Sequence, residues 1–176
     1  MAGKIIELKN VTYTYPLNSR PALKDISLEL EAGKLYGIVG GNGSGKTTLC
    51  LAICGFATRF EKGTLQGEIL IKGRNIDEYE DGETSRMMGY VLQNPHLFSG
   101  TVLENIRYGR LDATREEIEA AARAVSADTV VDKLEKGYES DVGEGGDRLS
   151  TGEKQLISFA RAVLANPRID VYKRQV

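Results

Sequence analysis

The sequence predicts an α/β fold, and three features carry that prediction. The first 92 residues hold short β-branched and aromatic runs of strand length. The second half holds two helix-capping boxes, each followed by apolar residues at helical spacing. Between them a strand–loop–helix stretch runs from Lys34 to Phe56, with glycine concentrated at its centre.

Each element follows from local chemistry. Ile5-Ile6-Glu7-Leu8 through Tyr13-Thr14-Tyr15 mixes β-branched and aromatic residues and reads as a strand. Pro16 to Pro21, with Asn18 and Ser19 between them, reads as a loop. Ile26, Leu28 and Leu30 alternate with Ser27 and Glu29, which predicts a half-buried strand, and Gly33 turns the chain. Lys34 to Val39 is a short apolar run of strand length, and Leu49 to Phe56 is helix-compatible. Glu68 to Ile71 and Met88 to Leu92 are further strand candidates. Thr114 to Glu117 and Ser150 to Glu153 are capping boxes. Ile118, Ala121, Ala122 and Val125 continue the first helix, and Leu156 to Leu164 the second, which ends near Asn166-Pro167 because proline cannot continue a helix.

Composition narrows the class. Hydrophobic residues make up 41% and charged residues 27% of the 176, as in a globular chain. The longest apolar or small run, Leu49 to Ala57, is far short of the ~20 residues a membrane-spanning helix needs. No secretory leader pattern stands at the start. A net charge of −2 argues against binding nucleic acid by broad electrostatics. Cys50 and Cys54 lie four apart in an apolar stretch and read as buried small hydrophobes. His96 is the only histidine, so a zinc site lacks ligands, and it reads as a loop residue.

Gly40-Gly41-Asn42-Gly43-Ser44-Gly45-Lys46-Thr47 fits the pattern G-x-x-x-x-G-K-[ST] and is followed by Thr48. Glycines let the backbone come close to a phosphate, and successive N–H groups at a helix start form an anion nest. Lys46 is placed to reach the β- and γ-phosphates of a nucleotide, and the Thr47 hydroxyl to ligate Mg²⁺. The pattern alone defines a P-loop nucleotide binder, a class that spans kinases, GTPases and transporter ATPases. Leu149-Ser150-Thr151-Gly152-Glu153 opens the last helix and leaves N–H groups free for a second anion. On these residues alone, an ordinary well-capped helix is the simpler reading.

The three motifs in this order — the loop at Gly40–Thr47, Gln93 after an apolar strand, and Leu149–Glu153 before a long helix — resemble the nucleotide-binding domain of an ABC transporter over roughly residues 4–169. The resemblance implies an α/β fold: a P-loop NTPase core with an N-terminal antiparallel β subdomain and a helical subdomain near residues 100–165. It implies that Ser150 and Gly152 contact the γ-phosphate of ATP held by a partner copy, in a homo- or heterodimer of ATPase domains. The commonest signature is Leu-Ser-Gly-Gly-Gln, so Thr151 and Glu153 depart from it, and Glu153 would bring a carboxylate near a phosphate. Gln93 resembles the residue that reaches Mg²⁺ and the attacking water, and Tyr15 the aromatic that stacks on adenine. Tyr13 is the alternative to Tyr15, and a core tyrosine competes with both.

The implied cofactors are ATP and Mg²⁺. The implied partners are transmembrane transporter subunits, with no nucleic acid, and the implied location is the inner face of the cell membrane. A non-transport ABC ATPase of DNA repair or translation and a small-molecule kinase are the rival readings. The N-terminal part resembles importer ATPases of the energy-coupling-factor type. Leu97 to Ile106 and Asp141 to Gly146 resemble exporter domains. The family's apolar strand ending in Asp-Glu is expected after Ile169, where the chain instead reads Asp170-Val171-Tyr172-Lys173-Arg174-Gln175. Those six residues translate GATGTGTATAAGAGACAG, which resembles an adapter end used in transposase-based sequencing libraries. The expectation is therefore a domain over 1–169 that is incomplete at its C-terminus, a non-native tail over 170–176, and a polypeptide that binds ATP but hydrolyses it poorly.

Overall fold

The computed structural model describes residues 3–80, 82–91, 95–167 and 169–172. The chain divides into two compact units, Met1–Ser85 and Arg86–Val176.

The first unit is built on an antiparallel sheet of β1 (Lys4–Thr14), β2 (Leu23–Glu31), β3 (Thr64–Ile71) and β4 (Arg74–Asn75), in the order β2-β1-β3-β4. The central strand β1 places Leu8 opposite Leu28 on one side and Ile69 on the other. Its buried residues are Ile6, Leu8, Val11 and Tyr13, a spacing that breaks the period of two between Leu8 and Val11. The register shifts there against both neighbours, so one extra residue of β1 is accommodated as a bulge. Asn10 adopts φ 50°, donates its N–H to Ser27 Oγ at 3.0 Å and its amide to Asp25 Oδ1 at 2.9 Å. On the other side Gly67 takes φ 87°, and a Cβ there would lie 2.4 Å from the Lys9 carbonyl oxygen. Only glycine fits against the bulge at that point.

Two helices, α1 (Lys46–Ile53) and α2 (Phe56–Arg59), belong to this unit. The predicted single helix from Leu49 to Phe56 is divided, because Gly55 turns left-handed at φ 76°. The Tyr13 hydroxyl donates to the Ala57 carbonyl at 2.8 Å and ties α2 to the sheet. Cys50 and Cys54 are buried thiols, and burial pushes the Cys54 thiol up to about 12.

One predicted element does not form. Lys34 to Gly40 is irregular, with Leu35 97% and Val39 93% exposed. A strand persists only where neighbouring strands take its N–H and C=O groups, and among the described residues no strand lies beside this run. The apolar side chains therefore stand in solvent.

A short helix, α3 (Glu83–Met87), leads into the second unit. There β5 (Met88–Val91) pairs in parallel with β6 (Ile169–Tyr172), Met88 opposite Ile169 and Val91 opposite Tyr172. Asp170 to Tyr172 hold ladder positions in β6.

The helices are α4 (Val102–Arg107), α5 (Arg115–Ala124), α6 (Asp128–Val131) and α7 (Thr151–Ala165). Thr101, Thr114 and Ser150 each form a reciprocal capping box with the glutamate three residues on. α4 and α5 pack on α7 around Val102, Ile106, Ile118, Ala122, Ile157 and Ala160. α7 stops at Asn166, left-handed at φ 47°, just before Pro167. Asn105 is fully buried at the centre of this unit. Its Oδ1 accepts from the Phe98 N–H at 2.9 Å and from Arg161 Nη2 at 3.0 Å, and its Nδ2 donates to the carbonyls of Phe98 and Thr101.

Candidate functional site

The loop of residues 40–45 gets its shape from its glycines. Gly43 and Gly45 take φ 76° and 89°, values closed to other residues without strain. Gly45 also passes close to the β1–β2 connection, where a Cβ would lie 2.6 Å from the Ala22 carbonyl oxygen. Gly40, Gly41, Asn42 and Ser44 are exposed, and Ser44 donates its N–H to the Gly41 carbonyl at 3.3 Å. The loop delivers the chain into α1 with Gly45 as N-cap and no side-chain cap. The first-turn amides of Lys46, Thr47 and Thr48 thus have no intrahelical acceptor, at the positive end of the helix.

Lys46 folds back over this loop and donates to the carbonyls of Gly40 at 2.6 Å and Gly41 at 2.8 Å. With no acidic residue in the first turn, the cation and the bare amides together make a cradle for an anion. Thr47 is half-buried, and its hydroxyl has no partner among the described residues. Magnesium takes one or two protein oxygens together with phosphate oxygens and water. Among the described residues no group of three or more His, Cys, Asp or Glu converges. The donors present fit a magnesium ion carried in on phosphate oxygens.

The structure distinguishes the two tyrosines. Tyr13 is fully buried, whereas Tyr15 is half-buried beside the first turn of α1. The Tyr15 hydroxyl lies 3.1 Å from Thr48 Oγ1, and its ring meets Tyr13 edge-on, at 5.1 Å between centroids and 84° between planes. Reasoning from sequence did not single out the Tyr15–Thr48 pair, because the residues are 33 apart and only the fold brings them together. Gln93 lies outside the described residues.

In the second unit Leu149 is buried, and Thr151 and Gly152 are exposed at the start of α7. Glu153 curls back so that its Oε2 accepts from the Ser150 N–H at 2.8 Å and from the Ser150 hydroxyl at 2.7 Å. These bonds hold the Glu153 carboxyl below the usual carboxylate range. The free N–H groups expected here are thus reduced: a carboxylate of the chain itself already takes the Ser150 donors. Lys154 donates to the Gly145 carbonyl at 3.1 Å and ties the 143–146 loop to α7. His96 is exposed in a loop.

The sequence model of the ABC transporter family matches residues 23–171. Two curated relatives illustrate the similarity. The ATP-dependent lipid A-core flippase of Yersinia pestis bv. Antiqua (strain Antiqua) is 43% identical over 162 residues, 92% of this chain and 27% of its own length. An uncharacterised ABC transporter ATP-binding protein of Bacillus subtilis (strain 168), YfiC, is 41% identical over 162 residues, 92% of this chain and 26% of its own. This chain therefore spans about a quarter of the length of the curated relatives it matches. Among solved structures, a bacterial Atm1-family ABC exporter with ATP bound superposes with a TM-score of 0.87 at 34% identity, covering 98% of this chain and 29% of that one. The similarity to exporters and a flippase runs through both units and is not confined to the segments after Leu97.

Proposed function

The chain belongs to the ABC transporter family, and on that premise we propose that it binds MgATP at residues 40–48 as the ATP-hydrolysing part of a transporter. The observation that carries this is the loop itself, with left-handed Gly43 and Gly45 opening onto the uncapped first turn of α1. The backbone amides take the phosphate oxygens, and Lys46 leaves the Gly40 and Gly41 carbonyls for the β- and γ-phosphates. Thr47 offers its hydroxyl to Mg²⁺, which neutralises charge on the phosphates when bound. Tyr15 offers its ring to the base.

Ser150 and Gly152 at the start of α7 serve the nucleotide of a second copy, so ATP joins two such domains head to tail. Gln93 relays nucleotide state to membrane-spanning partners at the inner face of the membrane. Among the described residues no helix of this chain is itself long and apolar enough to cross. The relatives' names support an export or flippase role for the whole protein. Phosphoryl transfer depends on positioning and charge stabilisation. The 176 residues contain no apolar strand ending in Asp-Glu to orient the water. The domain over 1–169 by itself therefore binds MgATP and turns it over slowly.

Titration of MgATP into the chain, followed through amide resonances, tests the reading. Residues 40–48 are expected to shift, and Lys46→Ala to weaken binding at least about tenfold by removing a charge-assisted contact. Unmoved loop resonances refute it.

A further inference from the structure

Thr48 is 5% exposed, and its hydroxyl meets that of Tyr15 at 3.1 Å. Behind Tyr15 stands Tyr13, whose own hydroxyl is fixed on the Ala57 carbonyl. The connection that follows Tyr15 is closed by the Ala22 N–H on the Tyr13 carbonyl at 2.8 Å, and the Ala22 carbonyl in turn borders Gly45. The segment bearing Tyr15 is thus tied to the phosphate loop at two points, a hydroxyl pair and a backbone approach.

The hydroxyl pair has a direction that a ligand can set. Each hydroxyl has one proton to donate and lone pairs to accept. With an anion in the loop, the Thr48 proton turns to a phosphate oxygen at the first turn of α1, and Thr48 Oγ1 is left to accept from Tyr15. Hydrogen bonds in such a chain strengthen one another. Phosphate occupancy then fixes the Tyr15 ring, and a fixed ring loses less freedom when a base settles on it.

We propose that Thr48 is a positioning residue for base recognition, coupling occupancy of the phosphate loop to the orientation of Tyr15. This rests on the reading of residues 40–48 as a nucleotide site.

The test compares MgATP with magnesium tripolyphosphate, which lacks a base, by calorimetric titration of the 176-residue chain. The ratio of the two affinities isolates what the nucleoside, base and ribose together, contributes, whatever Thr48 itself contributes to phosphate binding. Tyr15→Phe keeps the ring and loses the link, and Thr48→Val loses it from the other side. Each is expected to lower the ratio about threefold to tenfold, the size of one hydrogen bond. The double variant is expected to lower it no further, and Thr48→Ser to restore it. Should Thr48→Val fail to fold, Tyr15→Phe at its half-exposed position decides alone.

A ratio unchanged by Tyr15→Phe and Thr48→Val, or lowered by their product in the double variant, overturns the proposal. If Tyr15→Ala abolishes the base contribution while those two variants keep it, the nucleotide reading stands and the coupling falls. If the wild-type chain binds neither ligand, or Lys46→Ala changes nothing, both fall.

Discussion

Lys46 and Glu153 show the same device at single-residue scale. Each charged group is held by polar atoms a few residues away in the chain. The Lys46 ammonium rests on carbonyls of its own loop, and the Glu153 carboxylate on the donors of Ser150. Glu153 has a consequence for pH. Its folded carboxyl titrates below the ordinary value, so the cap contributes fully above the unfolded pKa of about 4.3 and is lost as pH falls through the lower folded value. Glu104 is held low by the same bonds at Thr101, and Glu117 by the Thr114 N–H together with the Arg110 guanidinium. Glu153→Gln keeps an acceptor but removes the titration. Urea midpoints measured from pH 7 down to about 3 are expected to fall less steeply for this variant than for wild type. Parallel curves would show that the cap does not titrate with folding.

At the scale of elements, what is local was legible and what is paired at a distance was not. The capping boxes at Thr114 and Ser150 are set by four consecutive residues, and both form where the sequence places them. Lys34 to Val39 has strand composition, but a strand's energy lies in its neighbours, and none among the described residues supplies the ladder. The bulge at Asn10 shifts which residues of β1 face the core, and Tyr13 and Tyr15, two apart, share a face by alternation, so what separates them is that β1 ends at Thr14.

Asn105 was noticed only as part of an exporter-like segment, yet it is the point where α4, α7 and the 98–101 loop meet. Asn105→Leu leaves the Phe98 N–H without its acceptor and takes one acceptor from Arg161, whose guanidinium keeps the carbonyls of residue 105 and His96. The expected loss is on the order of 2–4 kcal/mol in urea-induced unfolding, with the second unit affected first. A loss below about 0.5 kcal/mol would mean that water replaces the amide.

Across the whole molecule, the loop of residues 40–45 was readable because a short run of glycines dictates its own backbone. Its relation to Tyr15 needed the sheet, the bulge and α1 together. The α7 start was readable as a cap, but whether it serves a second nucleotide is a question about two copies. Ser150→Arg tests it: sedimentation is expected to show MgATP-driven pairing in wild type and none in the variant. MgATP affinity of the single copy should change less than about twofold, because Lys46 and the loop are untouched. Loss of both would place Ser150 among the determinants of the fold.

The bare run from Leu35 to Val39 bears on how this polypeptide is handled. A run of strand composition with bare apolar side chains is a template on which cross-β stacks grow. Warm, concentrated stocks of these 176 residues are expected to turn thioflavin-positive with time, and Leu35→Lys to lengthen the lag. The cure for such a preparation is a partner strand rather than a better buffer.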